Sequence, residues 1–322
     1  MNPLVSVIVT TYNHEPYLAE ALDAILSQEC DFGVEIILGE DCSSDGTLGV
    51  CKTFAERYSD RITLIASTEN VGWRANYRRC VEAAKGKYIA FCDGDDYWCD
   101  TGRLAEQVAL MELNRSIGLC YTLAERRDGE GRLVGRFPIG EGHTTLDALL
   151  HDWSVENCTT LARRELVLDY YATEKPENRP EWLTEDLPMW LYVAAHSEVA
   201  YIDRTTAVHR VFPDSVSHST SLAKRLVFCD SSSNIKLWFD ERYNNSRQRR
   251  HLLHERMNTA LWVHSHIGSA GDFVRRWWIE VKENKIEVCN IVAYGLFVKK
   301  IMRMLKKLMA KSPKSYEKRG AI

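Results

Sequence analysis

The sequence predicts an α/β fold with a mostly parallel central sheet, followed by a helical appendage at the C-terminal end. Three observations support this prediction. Short apolar runs alternate with helical periods through the first part of the chain, polar clusters follow four of these runs, and the pattern becomes helical from about residue 222 onward. Together they indicate strands whose polar ends meet at one edge of a sheet.

Five short runs rich in β-branched and aromatic residues predict the strands. They cover residues 5–10, 35–38, 62–66, 88–92 and 118–123. Because helical segments separate these runs and the loops are short, the strands are expected to run parallel, with helices on both faces of the sheet. In such a sheet, ligands bind outside the carboxyl ends of the strands.

Helices are predicted between these strands, where apolar residues recur at helical spacing. They cover residues 16–27, 45–58, 75–84 and 100–114. Asp45 and Asp100 precede two of these helices and are their expected N-caps.

The second half of the chain is less regular. Residues 128–131 read Asp-Gly-Glu-Gly and predict a hairpin turn, and residues 144–216 show a mixed pattern. Helices are predicted at residues 222–239, 247–267 and from 272 onward. We therefore expect an α/β domain over residues 1–220 and a helical C-terminal region over residues 221–322.

Composition excludes several classes of protein. The chain has 322 residues, a net charge of −4 and ten cysteines without a Cys-x-x-Cys pair. Reduced thiols are expected, since no Cys and His cluster has zinc-ligand spacing. No run is long enough for a signal peptide or a membrane span, which predicts a cytoplasmic protein. No recognition motif indicates nucleic acid as a partner, and the oligomeric state is left open.

Residues 291–322 differ from the rest of the chain in charge, with nine Lys and Arg residues against one acid. Apolar residues recur among them at helical spacing, namely Tyr294, Phe297, Val298, Ile301, Leu305 and Leu308. A basic amphipathic helix suits an anionic membrane surface, which would place the protein peripherally on the inner face of the cell membrane. A helix packed on the protein with a solvated basic face explains the same pattern, and both remain open.

An acidic loop, Asp93-Gly94-Asp95-Asp96, directly follows the fourth predicted strand. Carboxylates this close repel one another unless a cation lies among them. Oxygen ligands suit Mg²⁺ or Mn²⁺, shared with the phosphates of a nucleotide. A turn that caps the next helix is the simpler alternative. We expect Asp95 to be the main ligand, Asp93 a supporting contact, and Asp96 the most easily spared.

A second acidic group, Glu40-Asp41, follows the second predicted strand and opens a helix. Asp41 could accept the imide N–H of uracil or thymine, and the helix N-terminus favours an anionic neighbour. Helix capping by Ser44 or Asp45 is expected as well, but it does not account for Asp41.

Four segments in order resemble the motifs of the family 2 glycosyltransferases. They are residues 5–13 (VSVIVTTYN), 40–47 (EDCSSDGT), 70–72 (NVG) and 88–98 (YIAFCDGDDYW). The resemblance implies a GT-A type nucleotide-binding fold, a nucleotide-sugar donor and inversion at the anomeric centre. Under it, residues 1–220 would be the catalytic domain. Glu40 and Cys42 depart from the common Asp and Gly of the second motif, which loosens the inference about the base.

The resemblance also implies roles for single residues. Thr11, Tyr12 and Asn13 would line the nucleoside pocket, Asp41 would hold the base, and Asn70, Arg74 and Asn76 would lie near the donor sugar or diphosphate. Asp93 would face the ribose or sugar and the metal, with Asp95 as the principal metal ligand.

Residues 182–191 resemble the family segment that supplies a catalytic base. Inversion requires a carboxylate opposite the leaving diphosphate, and Asp186 is the first candidate, with Glu185 in reserve. A helix capped by Thr184 with acids in its first turn is the alternative. Residues 209–218 resemble the closing loop of the family, so His209 would contact the metal and Arg210 the diphosphate, although here His precedes Arg.

The sequence thus predicts a metal-dependent inverting glycosyltransferase that uses a UDP-sugar and Mn²⁺ or Mg²⁺. A glycan or lipid-linked glycan of a bacterial surface polysaccharide or lipopolysaccharide is the expected acceptor. A sugar-nucleotide nucleotidyltransferase is a second possibility, but it would need a Gly-rich, cationic loop after the first strand, where Thr10 to His14 stand. A third is a scaffold protein that binds nucleotide sugars without catalysis.

Overall fold

The computed structural model describes residues 3–212 and 221–267, together with residues 275, 276, 278 and 282. The strands in this part are β1 (Val5–Thr11), β2 (Val34–Glu40), β3 (Ile62–Ala66), β4 (Tyr88–Phe91), β5 (Tyr97–Trp98), β6 (Ile117–Asp128), β7 (Leu133–Phe137), β8 (Leu161–Arg163) and β9 (Glu198–Val211). The helices are α1 (Leu18–Leu26), α2 (Thr47–Arg57), α3 (Trp73–Ala83), α4 (Arg103–Leu113), α5 (Leu146–His151), α6 (Arg164–Glu174), α7 (Asp186–His196), α8 (Leu222–Tyr243) and α9 (Arg249–Ile267).

One sheet joins the strands in the order β3-β2-β1-β4-β8-β6-β9-β5, with β7 paired to β6. The pairs β1–β2, β2–β3, β1–β4 and β6–β9 are parallel. The pairs β4–β8, β6–β8, β6–β7 and β5–β9 are antiparallel. The parallel strands predicted from the strand and helix alternation therefore form one half of the sheet, and the second half is mixed.

Helices cover both faces of the sheet, so side chains alternate along β1 between two cores. Val5, Val7 and Val9 join the core beneath α1, α2 and α4. Ile8 faces the other core, which contains α3, α6 and α7. Each of these side chains is at most 1% exposed, and burial of a Val or Ile stabilises a fold by about 1.5–3 kcal/mol. The first strand is therefore fixed from both sides.

The two predicted aspartate caps form turns instead of helix caps. Asp45 accepts the Thr47 N–H at 3.0 Å, but Gly46 occupies the N-cap position of α2. Asp100 accepts the Gly102 N–H at 2.8 Å, and the helix starts only at Arg103. Each side chain bonds two residues ahead, an Asx turn that shifts the helix start along the chain.

The hairpin turn predicted at residues 128–131 joins β6 to β7. Asp128 accepts the backbone N–H groups of Glu130 and Arg132, each at 3.0 Å. Gly131 has a φ of 78°, a conformation that glycine adopts without strain.

The C-terminal helices pack against the α/β part. Ser231 on α8 donates to the Glu181 carbonyl at 2.7 Å and accepts the Leu183 N–H at 2.9 Å. Buried Glu174 at the end of α6 accepts a bond from Trp238 at 3.1 Å and another from Tyr243. No helix among the described residues is long and apolar enough to span a membrane. The basic amphipathic tail predicted after residue 291 lies outside the described residues.

Candidate active site

A cavity of about 830 Å³ opens at the carboxyl ends of β1, β2 and β4, the edge predicted to bind a ligand. Its opposite wall comes from the β6–β7 hairpin, the segment before α7 and one face of α8. The predicted site residues in its lining are Thr11, Tyr12, Asp41, Asn70, Asn76, Asp93, Asp95, Glu185, Asp186 and His209. Asn13, Arg74 and Arg210 are described but lie outside this lining.

Asp93, the first carboxylate of the acidic loop, is held from two sides. The Thr10 hydroxyl and the Tyr77 hydroxyl each donate to its Oδ1 at 2.5 Å. Burial, and then the charge of Asp95, raises the pKa of Asp93, while the two hydroxyl donors oppose the shift. Within the described part of the chain no donor reaches Oδ2. One oxygen of Asp93 is therefore open to a ligand.

Asp95 lines the cavity with few partners. Its side chain is 23% exposed, and among the described residues the imidazole Nε2 of His14 lies 3.8 Å from its Oδ2. Burial, and then the charge of Asp96, raises the pKa of Asp95. A partly buried carboxylate beside other carboxylates suits a hard cation, because a cation would relieve the repulsion.

The described side chains do not form a complete metal site by themselves. No group of three or more His, Cys, Asp and Glu residues in residues 3–212 and 221–267 has the arrangement to hold an ion. The protein offers Asp95 and the open oxygen of Asp93, and Mg²⁺ or Mn²⁺ commonly takes its other ligands from water and phosphate. The residues present therefore fit a cation that is shared with a bound phosphate.

Asp96 ties the acidic loop to the end of β9. Its Oδ1 accepts the Arg210 N–H at 2.9 Å, and its Oδ2 lies 3.1 Å from Nδ1 of His209. Asp96 is only 3% exposed. Asp96 therefore makes structural contacts of the loop, and the expectation that it is the member most easily spared from the metal and diphosphate site stays a prediction.

His209 is held as a cation. Burial alone would lower the pKa of His209, but the carboxylates of Asp96 and Glu156 raise it to about 10. An imidazolium has no lone pair to offer a metal ion, so the predicted metal role of His209 would require loss of a proton. Arg210 supports the loop from behind, donating to the Asp95 carbonyl at 2.5 Å. Its predicted contact with the diphosphate stays a prediction.

Asp41 organises the loop that follows β3. Its two carboxylate oxygens accept the backbone N–H groups of Val71 at 2.8 Å and Gly72 at 2.9 Å. Asn70 donates from its side chain to the Asp41 carbonyl at 3.1 Å. Gly72 has a φ of 85°, which favours glycine at this position. Asp41 and this loop form one end of the cavity.

Two aromatic rings lie at this end of the cavity. Tyr12 is 45% exposed and Trp73 is 44% exposed, and both line the cavity. Exposed rings beside a pocket offer flat faces against which a base or a sugar can stack. Tyr12 was predicted here, whereas Trp73 carries no signal in the sequence beyond its place next to the Asn-Val-Gly motif.

Asn13 and Asn76 are engaged with the protein itself. Asn13 has a φ of 57° and accepts the Ser44 N–H at 2.8 Å, which joins the loops after β1 and β2. Asn76 donates to the Gly39 carbonyl at 3.0 Å and is 2% exposed. Both side chains shape the loops around the cavity, and their contacts with a donor stay predictions.

Arg74 reaches from α3 to the segment before α7. Its Nε lies 3.2 Å from Oε2 of Glu185, Nη1 donates to the Arg179 carbonyl at 3.2 Å, and Nη2 donates to the Trp182 carbonyl. Burial raises the pKa of Glu185 to about 7, and Arg74 offsets only part of this shift. Glu185 is therefore a buried carboxyl fastened to a neighbouring arginine.

Asp186 differs from Glu185 in exposure, because Asp186 is half-buried whereas Glu185 is 4% exposed and its Oε1 is buried without a hydrogen-bond partner. Oδ1 accepts the Thr184 hydroxyl and the Leu187 N–H, the latter at 2.8 Å. Among the described residues no donor reaches Oδ2. Burial raises the pKa of Asp186, and these two donors oppose the shift. An open carboxylate oxygen with a raised pKa has the chemistry of a general base.

Thr184 does not cap α7 as the alternative interpretation expected. The N-cap position of α7 is Glu185, without a side-chain bond to the helix backbone. The Thr184 hydroxyl bonds Asp186 instead, and so orients the candidate base.

The opposite wall combines apolar and cationic groups. On α8, Phe228, Ser232 and Lys236 line the cavity at four-residue spacing, so they share one face of the helix. Arg126 on β6 pairs with Glu156 through two nitrogens at 3.0 and 2.7 Å. This wall differs in character from the acidic edge across the cavity.

Several lining residues escaped sequence reasoning. Tyr77 shares a helical spacing with buried Cys80, Val81 and Ala84, so its inward position could have been found, but not its bond to Asp93. Other missed residues in the lining include Trp153, Glu156, Phe228 and Lys236. They lie in segments without a recognisable motif, and only the tertiary fold brings them to the cavity.

Comparisons with known proteins agree with this geometry. The family model described as glycosyl transferase family 2 matches residues 6–169. TuaG of Bacillus subtilis, named as a teichuronic acid biosynthesis glycosyltransferase, is 28% identical over 216 residues, which are 67% of this chain and 82% of TuaG. Mycobacterial relatives of unnamed activity are 30% identical over 68% of this chain, which spans 62% of their own length.

Two solved structures resemble the fold. TarS 1–349 of S. aureus, crystallised with UDP, has a TM-score of 0.53 and 16% identity, with coverage of 98% of this chain and 94% of TarS 1–349. The mannosyltransferase PcManGT of Pyrobaculum calidifontis, in complex with GDP-Man and Mn²⁺, has a TM-score of 0.53 and 17% identity, with coverage of 97% and 89%. Both likenesses show the GT-A fold. Because the family match spans half of the chain, this protein belongs to glycosyl transferase family 2.

Proposed function

We propose that this chain transfers a sugar from a nucleoside diphosphate sugar to an acceptor hydroxyl, with inversion at the anomeric carbon. One observation carries the proposal: Asp186, with an open oxygen, lines the same cavity as Asp41 and the acidic loop. A donor-binding edge and a candidate base thus face one space. The cavity volume of about 830 Å³ lies within the range of small-molecule and cofactor sites.

The donor end is built for a nucleoside. Asp41 holds the loop of residues 70–72, and lone pairs on its carboxylate remain for the imide N–H of a pyrimidine. Tyr12 and Trp73 offer exposed rings for stacking. We favour UDP as the nucleotide, and the UDP complex of TarS supports this choice. The GDP-Man complex of PcManGT indicates that the fold alone does not determine the base.

The diphosphate would lie beside Asp95 and the open oxygen of Asp93. The repulsion among these carboxylates favours Mn²⁺ or Mg²⁺ at this place, as the Mn²⁺ complex of PcManGT supports. Such an ion supplies positive charge that stabilises the leaving diphosphate. The imidazolium of His209 adds positive charge to the same cavity, held there by Asp96.

Asp186 would act as the general base. Its open Oδ2 takes the proton of the acceptor hydroxyl as the oxygen attacks the anomeric carbon and the bond to the diphosphate breaks. Thr184 and the Leu187 N–H fix the other oxygen, which restricts the carboxylate to one orientation. Glu185 is bound to Arg74 and is less available for this role.

We further propose that the acceptor belongs to a bacterial cell-surface polysaccharide, such as a glycan on a lipid carrier. The likeness to TuaG supports this assignment. The acceptor would enter along the wall formed by Phe228, Ser232 and Lys236.

The predicted basic tail after residue 291 would then bring the protein to an anionic membrane. Deletion of the residues after Val292 should abolish binding to anionic vesicles and leave turnover unchanged, and equal vesicle binding would contradict the membrane role.

The central test compares Asp186→Asn with the unchanged protein. UDP binding with Mn²⁺ is measured by calorimetry, and turnover is measured as release of the matching nucleoside diphosphate from UDP-, GDP- and dTDP-sugars. We expect the variant to bind UDP normally and to lose about 10²- to 10⁴-fold in turnover, the usual share of a general base. Equal turnover by both proteins would exclude Asp186 as the base, and no turnover by either would favour the scaffold.

A second variant tests the metal-binding role of the acidic loop. Asp95→Ala should abolish the dependence of UDP binding on Mn²⁺, because the main ligand is removed. Undiminished binding of UDP in the presence of Mn²⁺ would contradict the metal role of Asp95.

A further inference from the structure

Residues 179–185 lead into the candidate base without belonging to a helix or a strand. An irregular segment lacks the regular backbone bonds that fix the position of a strand or a helix. Its geometry therefore depends on contacts with neighbouring elements. Since Asp186 directly follows this segment, whatever holds the segment also determines where the carboxylate of Asp186 lies.

Arg74 holds this segment from the side of α3. Arg74 bonds the Arg179 carbonyl, the Trp182 carbonyl and the carboxylate of Glu185, so every nitrogen of its guanidinium has a partner. The three partners are spread over the whole segment. A planar guanidinium with fixed donor directions restrains such a segment better than the single charge of a lysine.

Arg74 also links this segment to the donor end of the cavity. It is the second residue of α3, directly after Gly72 and Trp73. The backbone N–H of Gly72 is held by Asp41, and Trp73 lines the cavity. The guanidinium lies 4.8 Å from the Trp73 ring, which restricts its direction further. The start of α3, at the donor end of the cavity, thus carries Arg74, the side chain that holds residues 179–185.

We propose that Arg74 is a positioning residue for Asp186 and that it does not bind the donor diphosphate. This proposal rests on the proposed function and revises the role that the family resemblance implies for Arg74. Arg74 is not among the residues that line the cavity, and each nitrogen of its guanidinium donates to the protein. The three bonds fix the direction of the guanidinium, so Arg74 could turn its Nε, Nη1 and Nη2 donors to a diphosphate only by releasing residues 179–185.

Arg74→Lys tests the proposal, because lysine keeps the positive charge but cannot reach three partners. We expect the turnover number to fall about 10- to 100-fold, since a small misplacement of a catalytic group has effects of this size. The Kd for UDP with Mn²⁺ and the KM for the donor should stay within about twofold. The donor is whichever UDP-, GDP- or dTDP-sugar the unchanged protein turns over fastest.

Arg78→Lys is the matched control. Arg78 lies one turn further along α3 and pairs with Glu82 at 2.8 Å and with Glu177 at 3.0 Å, but its side chain is 39% exposed. It contacts the chain just before the base segment without touching residues 179–185. We expect this variant to match the unchanged protein in turnover, in UDP binding and in thermal midpoint.

Hydrogen exchange gives a readout that does not depend on turnover. Amides of residues 182–187 should exchange at least about tenfold faster in Arg74→Lys than in Arg78→Lys, without any ligand. Unchanged exchange would overturn the proposal, and so would a loss of UDP affinity as large as the loss of turnover. If the unchanged protein binds no UDP and turns over no donor, the proposed function fails, whereas the exchange result still decides the role of Arg74.

Discussion

Glu185 and Asp186 are neighbours in the chain, yet their carboxyl groups meet different surroundings. Glu185 is 4% exposed and bound to Arg74, whereas Asp186 keeps an open oxygen at the cavity. Burial raises the pKa of both groups, to about 7 for Glu185. Glu185 is thereby held by Arg74, while Asp186 can accept a proton. Different surroundings of two neighbouring acids commonly separate acid and base roles in this way.

The raised pKa of Glu185 predicts how the stability of the protein depends on pH. Between about pH 4.3, the usual value for Glu, and about pH 7, the folded state binds this proton and the unfolded state releases it. The free energy of unfolding therefore falls as pH rises through this window. Relative to Glu185→Gln, the unchanged protein should lose up to about 3 kcal/mol between pH 4 and pH 8.

Urea unfolding at several pH values measures this difference. Glu82→Gln is the control, because Glu82 lies on the surface of α3 and its side chain is 54% exposed. That variant should differ little in stability from the unchanged protein, because an exposed ion pair such as Arg78–Glu82 contributes about 0–1 kcal/mol. A difference for Glu185→Gln that is constant with pH would show that its carboxyl is not buried as described.

At the scale of single residues, the sequence predicted those groups whose position follows from one strand end. Asp41, Asp93 and Asp95 stand directly after apolar runs, so their place at the sheet edge could be inferred. The contacts of Arg74 could not be inferred, because its partners lie more than a hundred residues away in an irregular segment. A shorter but still long separation along the chain hid the role of Glu156 beside His209.

Among the structural elements, β9 and the acidic loop stabilise each other. Asp96 accepts bonds from two successive residues at the end of β9, while β5 pairs with the same strand just beyond the loop. The loop is therefore held between two strands of the sheet. Its neighbour Asp95 makes no comparable contact within the described residues.

Asp95 and Asp96 should differ in their effect on stability. Asp96→Asn removes a buried ionic contact with His209, which we expect to destabilise the fold by about 1–3 kcal/mol. Asp95→Asn removes a repelling charge, so without metal it should leave stability unchanged or raise it slightly. Thermal unfolding in a chelator measures both, and equal destabilisation by the two variants would contradict this division.

At the same scale, the helix starts show where pattern reasoning was too coarse. Asp45 and Asp100 carry the residue type of an N-cap, but each bonds an N–H two residues ahead and the helix begins later. A cap and an Asx turn use the same side chains, so composition cannot separate them. The mixed second half of the sheet was also beyond prediction, since β8 is only three residues long.

In the whole molecule, the helical region acts as part of the cavity wall and part of the core. Glu174 lies under α8, where Trp238 and Tyr243 donate to it and Arg242 lies 3.3 Å away. Loss of α8 would leave this carboxyl without those partners and expose the apolar surface beneath the helix. The domain boundary near residue 220 stays a prediction. In the structure, contacts such as those of Glu174 with α8 join the α/β part to the helical region.

Truncation separates the roles of the two C-terminal portions. A chain that ends at residue 212 should unfold at a clearly lower temperature than the full chain and should bind a dye for exposed apolar surface. A chain that ends at residue 267 keeps α8 and α9 and should unfold at a higher temperature than the chain that ends at residue 212. If the chain that ends at residue 212 is stable and binds no dye, the α/β part folds without α8 and α9.

The face of α8 that carries Phe228, Ser232 and Lys236 has a consequence for the order of events during synthesis. The acidic loop and Asp186 leave the ribosome before this helix exists. A nascent chain from which only residues 1–212 have emerged therefore presents the donor-side groups and the candidate base without the wall that α8 supplies, and bulk water reaches them from that side. Enclosure of the reaction space comes last, so a chain interrupted during translation lacks the wall along which the acceptor is proposed to enter.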